Sequence, residues 1–239
     1  MPDTRATPRR EFIGQLASSA TLLAAGACAP AVASSGTAAS PRPGAATASQ
    51  TAWDDSWFGR LTAKHKAVFD SPQIEDGLAV QNATFFINGM RDALGAGVND
   101  VQAVVVIRHR AIPMAFNDAM WAKYPIGDEY KVKEPGSDAW ATHNIFLAAS
   151  PGRATSAPTG GDRPRPNLQW LAANGHVLLG CDLATRNMSG ALARRINGNR
   201  DAIYAELKAN VVPGLILQPT GVYACIRAQE AGCAYVRST

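Results

Sequence analysis

The residue best suited to chemistry in this chain is a cysteine at the junction of an apolar run and a helical pattern. In the stretch GHVLLGCDLATRNMSGAL, residues 175–192, the apolar run ends on Cys181 and a helix-like pattern begins directly behind it. A helix N-terminus presents unpaired N–H groups and a partial positive charge, and both favour a thiolate over a thiol. Cys181 is therefore a candidate nucleophile, and an inert core cysteine is the alternative that its type leaves open.

Charged residues elsewhere in the sequence would affect the ionisation of the Cys181 thiol. Arg108 and His109 end the second apolar run, DVQAVVVIRH, and they would share one rim with Cys181 if the two strands are neighbours. His109 would then activate the thiol as a base, or it would be a hydrogen-bonded rim histidine. Asp182 would oppose a thiolate, and Arg186 and Arg108 would offset that charge if they point inward.

The number of cysteines and the absence of known motifs limit which other kinds of site the chain is expected to contain. Beyond Cys28 near the N-terminus, the chain has Cys181, Cys225 and Cys233, an odd number that leaves at least one thiol unpaired within the chain. Cys225 and Cys233 are predicted to be core residues, with a disulfide between them as the alternative. No CxxC and no histidine pair at helical spacing occurs, so we predict no metal and no cofactor. There is also no GxGxxG, P-loop or GxSxG motif.

The elements that must position these residues alternate between strand and helix. Short β-branched or apolar runs predict five strands at about 65–70, 101–108, 176–181, 214–217 and 233–237, with helical patterns between them. This alternation predicts an α/β fold, a three-layer sandwich with a mainly parallel five-stranded sheet. In such sheets, ligands and reactive groups collect at the carboxyl ends of the strands, which is where Cys181 lies.

Composition divides the chain into three segments, the last of which contains an insertion. Arg9 and Arg10, followed by Phe12 and an Ala-rich stretch, resemble a twin-arginine export signal over residues 1–33. Residues 34–52 are predicted to be a flexible linker, and residues 53–239 the domain, with an exposed loop insertion at about 150–166. We expect a periplasmic protein that meets the twin-arginine translocase during export. A lipid anchor on Cys28 is the alternative.

The overall composition excludes other classes. The 239 residues are 46% hydrophobic and 18% charged, which suits one globular domain with tails. The net charge of +4 is small and scattered, so we predict no nucleic-acid partner. No apolar run of membrane-spanning length follows the N-terminal segment.

The C-terminal third resembles a known family. The stretches LAANGHVLLGCDLATRNMSG and DAIYAELKANVVPGLILQPTGVYACIRAQEAGCAYVRS are similar to the DsrE/DsrF-like sulfur-relay family, over a resemblance that spans roughly residues 64–238. The resemblance implies a DsrE-like α/β sandwich in homo-oligomers, with Cys181 as the acceptor that passes sulfane sulfur to and from thiol partners. The export signal, the insertion and the segment RHRAIPMAFNDAMWAKYPIG depart from the small members. The matching residues are Gly175, Cys181, Val212, Pro213, Gly214, Gly221, Gln229, Gly232 and Tyr235.

A second function remains open on the residues alone. The same fold would serve as a non-enzymatic binding or assembly module with a packed, structural Cys181. The rim around His109, Asn117, Asp118 and Trp121 would then hold a small ligand or a partner.

Overall fold

A computed structural model describes residues 53–148 and 167–239, which form an α/β sandwich around a five-stranded sheet. The sheet order is β4-β3-β2-β1-β5, and all four strand pairs are parallel. This confirms the predicted fold class, and each predicted strand boundary lies within one residue of the observed one. The strands are β1 His65–Ser71, β2 Val101–Ile107, β3 Val177–Cys181, β4 Leu215–Gln218 and β5 Ala234–Arg237.

Seven α-helices occur in the described part of the chain, and none of them is long and apolar enough to cross a membrane. A 3-10 segment, His109–Ala115, follows β2, and shorter 3-10 turns occupy Phe58–Arg60, Glu75–Gly77 and Val98–Asp100. The predicted signal, linker and insertion, with Arg9, Arg10 and Cys28, lie outside the described residues. The helices are α1 Leu78–Leu94, α2 Asp118–Lys123, α3 Ile126–Tyr130, α4 Leu168–Ala173, α5 Asp182–Ile196, α6 Arg200–Ala209 and α7 Gly221–Glu230.

The central strands are apolar on both faces because helices cover both sides of the sheet. Along β2, Val105 and Ile107 enter a large core that also contains side chains of α1, α5 and α6. Val104 and Val106 point the other way, into a smaller core that α7 covers together with Trp57. A continuous β-branched run is the expected sequence of a strand covered in this way.

Short local structure occurs in a region whose sequence carries no clear periodicity. Helix α3 begins this region, and an isolated bridge joins Lys133 to Trp140. The buried Asn144 holds the segment in place, because its side-chain amide donates to the carbonyls of Met114 and Phe116 at 2.9 and 2.8 Å. Side-chain bonds of this kind leave no periodic signal in a sequence.

A pair of glycine substitutions tests this packing. A Cβ on Gly127 would lie 2.3 Å from the carbonyl oxygen of Ala141, so Gly127→Ala is expected to cost about 3 kcal/mol of unfolding free energy. Gly89 in α1 has open space around it, so Gly89→Ala is expected to stabilise the fold by about 1 kcal/mol. Urea unfolding measures both, and equal effects of the two substitutions would contradict the packing described for Gly127.

Candidate functional site

Cys181 is the last residue of β3 and the N-cap of α5. Its side chain accepts a hydrogen bond from the backbone N–H of Ala184, with 3.3 Å between nitrogen and sulfur. The residue is 6% exposed. The sulfur therefore occupies the position that Ser, Thr, Asp or Asn usually takes at a helix start, where it meets one of the unpaired amides of the first turn.

The sheet topology also places Cys181 where two neighbouring strand-to-helix connections diverge. The chain leaves β3 into α5 on the large-core face, but it leaves the adjacent β4 into α7 on the small-core face. Neighbouring connections that depart to opposite faces leave a crevice at the carboxyl ends of their strands, the usual ligand site of an open α/β sheet. Cys181 is paired in register with Gln218 at this point, and one backbone bond, from Leu183 N–H to the Pro219 carbonyl, joins the two connections at 3.3 Å.

The carboxylate next to the sulfur has its own partners. Asp182 is buried and accepts hydrogen bonds from Arg186 Nε at 2.9 Å and from the Tyr204 hydroxyl at 2.6 Å. Lys208 Nζ lies 3.9 Å from the same carboxylate. Burial and then the bond to Asp182 raise the pKa of Tyr204 to about 12, so Tyr204 remains a donor. Arg186 thus compensates the charge of Asp182.

The other two cysteines have different surroundings. The three cysteines within residues 53–148 and 167–239 form no disulfide, so the alternative of a Cys225–Cys233 bond is not realised. Burial, followed by the nearby Asp70 carboxylate, raises the pKa of Cys225 to about 12. Burial also raises the pKa of Cys233. Cys225 and Cys233 are therefore core thiols, whereas the sulfur of Cys181 receives a helix amide.

Arg108 lies on the rim, but its guanidinium contacts a different residue. Its Nε and Nη2 donate to the two carboxylate oxygens of Asp70 at 2.6 and 2.8 Å, and the Tyr235 hydroxyl donates to the same carboxylate at 2.6 Å. The Arg108 stem packs against Gly221, where a Cβ would lie only 2.4 Å from the Arg108 Cβ. The Asp70 carboxylate in β1 therefore connects Arg108, directly after β2, with Tyr235 of β5. No hydrogen bond connects Arg108 with Cys181.

Asp70 is the centre of this cluster and is only 1% exposed. Burial is the largest single influence on its carboxyl and raises the pKa. The bonds from Arg108 and Tyr235, with the Arg108 charge, outweigh burial and leave the pKa below its ordinary value. Asp70 is thus a buried carboxylate held ionised by two donors.

His109 is exposed and begins the 3-10 segment with a left-handed backbone, φ 51°. No hydrogen bond joins His109 to Cys181 in the part of the chain that the structure describes. The predicted Cys–His pair is thus not formed in this conformation.

The remaining predicted rim residues anchor α2. Asn117 N-caps the helix by accepting from Met120 N–H at 3.3 Å, and its amide donates to the Asn210 side chain. Asp118 accepts from the Asn144 backbone N–H at 2.8 Å. Trp121 is buried and donates its indole N–H to the Pro113 carbonyl at 3.1 Å. All three side chains are engaged within the fold.

Sequence reasoning missed Asp70, Tyr235 and Gln218 as members of this edge of the sheet. Gln218 is fully buried, and its Nε2 donates to the Asp54 carbonyl at 2.9 Å. Its Oε1 has no hydrogen-bond partner within residues 53–148 and 167–239. The available signal was a polar residue at or next to the end of an otherwise apolar strand, since Asp70 precedes Ser71 at the end of β1 and Gln218 ends β4.

Within the described ranges, no group of three or more histidine, cysteine, aspartate or glutamate side chains is arranged to hold a metal ion.

Comparisons with known proteins were made for the whole chain. No protein-family model matches it, and a search of the curated proteins found no match either. One similar solved structure is a protein of unknown function from Methanobacterium thermoautotrophicum, at 13% identity and a TM-score of 0.36. The match covers 72% of this chain and 98% of that one.

The Asp70 cluster leads to a stability prediction. Asp70→Asn removes the buried charge and leaves Arg108 without its partner, so we expect a loss of about 3 kcal/mol in the free energy of unfolding. The matched control is Asp128→Asn, whose exposed pairs with Lys131 and Arg195 should leave stability nearly unchanged. Urea unfolding at pH 7 compares the two variants. A loss for Asp70→Asn no larger than the control's would contradict the structural role of the cluster.

His176 lies at the opposite, amino-terminal edge of the sheet, just before β3. It is buried, and its Nδ1 accepts a hydrogen bond from Ala103 N–H at 3.3 Å. Burial lowers the pKa of His176 to about 4 from an ordinary value of 6.5. The folded protein therefore holds this imidazole neutral at pH values where the unfolded chain protonates it.

The sign of the resulting pH dependence follows from that order of pKa values. The contribution of neutral His176 is complete above pH 6.5 and is lost as the pH falls toward 4. Relative to His176→Gln, the wild-type chain should lose about 2 kcal/mol of unfolding free energy between pH 7 and pH 5. Urea unfolding of both proteins at the two pH values measures this, and a difference independent of pH would show that His176 does not titrate as described.

Proposed function

We propose that this chain is an exported, DsrE-like α/β protein that carries sulfane sulfur as a persulfide on Cys181. The observation that supports it most is the contact between the Cys181 sulfur and the first-turn amide of α5, at 3.3 Å. The contact lies at the crevice between β3 and β4, where open α/β sheets bind their ligands. The sequence resemblance to the sulfur-relay family points to the same residue.

The transfer step is an exchange between two thiols without net oxidation. The Cys181 thiolate attacks the outer sulfur of a donor persulfide, R–S–SH, and forms a new S–S bond while the donor's S–S bond breaks. The donor leaves as a thiol, R–SH, having taken up the proton that Cys181 gave. The reverse reaction delivers the sulfur to an acceptor thiol. The amides at the start of α5 are suited to stabilise the anionic persulfide between the two transfers.

Access to the sulfur requires the crevice to open. Cys181 is 6% exposed, and the bond between Leu183 N–H and the Pro219 carbonyl spans the entrance. Breaking this bond would free the Leu183 amide, while the sheet pairing of Cys181 with Gln218 would remain. Leu183 and Val222, in the first turns of α5 and α7, are 51% and 58% exposed. These two aliphatic side chains offer an apolar rim for a partner that brings its own thiol.

Export and assembly are parts of the same proposal. The twin arginines Arg9 and Arg10 support passage through the twin-arginine translocase into the periplasm, with a lipid anchor on Cys28 as the alternative. The family resemblance supports a homo-oligomer. Both rest on the amino-acid sequence.

The test is a persulfidation experiment on the full chain carrying Cys28→Ser, so that Cys181, Cys225 and Cys233 are the remaining thiols. Incubation with a low-molecular-weight persulfide, followed by intact mass spectrometry, is expected to add the mass of one sulfur atom. Cys181→Ser should abolish the adduct, whereas Cys225→Ser and Cys233→Ser should retain it, because burial keeps those thiols protonated. An adduct that persists in Cys181→Ser would overturn the assignment.

A labelling experiment separates the proposal from the binding-module alternative. In the folded protein, we expect a thiol reagent to modify Cys181 at least about tenfold faster than Cys225 or Cys233. Equal, slow labelling of all three thiols would identify Cys181 as a packed structural residue. The fold would then serve as a ligand-binding or assembly module.

A further inference from the structure

A second candidate site lies on the outer side of α5, away from the sulfur. Here α5 and the start of α6 enclose an open groove of about 520 Å³. We call it the arginine groove, because three of its six lining residues are arginines. It is lined by Arg186, Asn187, Gly190, Ala193, Arg194 and Arg200.

Two of the arginines converge on one point. A Cβ built on Gly190 would lie 3.6 Å from Arg200 Nε and 3.7 Å from Arg194 Nη1. Both guanidinium groups therefore reach over the same glycine. Arg186 adds a third cation one turn earlier, and Arg200 Nη2 donates to the Arg186 carbonyl at 3.4 Å. The absence of a side chain on Gly190 is what gives the groove its floor.

Acidic side chains balance only one of the three arginines in the groove. The bond to Asp182 and, more weakly, the charge of Asp201 in the first turn of α6 raise the pKa of Arg186. Neither Arg194 nor Arg200 forms a salt bridge with any residue that the structure describes. Two guanidinium groups that converge without an anion repel each other, and this cost disappears when an anion binds between them.

We propose that the arginine groove binds a doubly charged tetrahedral oxyanion of the phosphate or sulfate type. Planar guanidinium groups donate parallel N–H bonds to two oxygens of such an anion, which makes arginine suited to this chemistry. The positive end of the α6 dipole, at Arg200, adds to the attraction. The groove is open, so it accepts a free anion or the terminal group of a larger molecule. This site goes beyond the sulfur chemistry proposed for Cys181 and does not depend on it.

The experiment is isothermal titration calorimetry of the full chain at constant ionic strength. The titrants are inorganic phosphate, sulfate, phenyl phosphate as a terminal-group probe, and chloride as the monovalent comparison. Saturable binding of the divalent anions, with no saturation by chloride, is the expected result. Preference for phenyl phosphate over free phosphate would identify a terminal group as the natural ligand, and the opposite order would identify a free anion.

Variants then locate the site. Arg194→Gln and Arg200→Gln should each weaken binding about tenfold, because each removes a hydrogen-bond donor that carries charge. The matched control is Arg195→Gln, since Arg195 is adjacent in sequence but pairs with Asp128 and Glu129 outside the groove. This control should change the affinity by less than about twofold.

A further variant separates a loss of anion binding from a loss of stability. Gly190→Ala places a methyl group on the groove floor at ordinary contact distance, and alanine is the better helix former. It should therefore retain or raise thermal stability while it weakens anion binding. The proposal is overturned if the anions do not saturate, if the double variant of Arg194 and Arg200 binds as the wild type does, or if Arg195→Gln is equally impaired.

Discussion

The carboxylate of Asp70, buried at the end of β1, is the charge around which the carboxyl edge of the sheet is arranged. A buried carboxylate costs several kcal/mol unless donors surround it, and here Arg108 supplies two N–H groups and Tyr235 one hydroxyl. Arg108 directly follows β2 and Tyr235 lies in β5, and these are the two strands that flank β1. A single charge thus links three neighbouring parts of the sheet, including the edge strand β5, which has only one neighbour.

The same ion pair constrains the start of α7. Arg108 crosses Gly221 so closely that no side chain fits there. The beginning of α7 follows β4 and packs in the small core, while α5 follows β3 and packs in the large core. Cys181 lies where these two neighbouring connections diverge, the position at which open α/β sheets usually bind ligands.

Helix α5 connects the two proposed activities. Its first turn provides the amide that meets the Cys181 sulfur, and its outer face provides the floor and two arginines of the arginine groove. Arg186 belongs to both regions, because it neutralises Asp182 beside the sulfur and also lines the groove. An anion bound in the groove would compete with Asp182 for the Arg186 charge. The structure thus provides a physical route by which anion binding would influence the environment of the thiol.

The sequence by itself determined the order and bounds of the strands, the parallel α/β class and the position of Cys181 at a strand-to-helix junction. These features depend on local periodicity and on the residue that ends each run, and both are visible in a linear sequence. Only the tertiary structure decided which charges meet. Arg108 and Arg186 look equally able to approach Cys181 in sequence, yet Arg108 binds Asp70, 38 residues earlier, and Arg186 binds Asp182. Such pairings depend on strand order and on close packing at Gly221, and the convergence of Arg194 and Arg200 depends on the angle between α5 and α6. None of these quantities is encoded in the local pattern of residues.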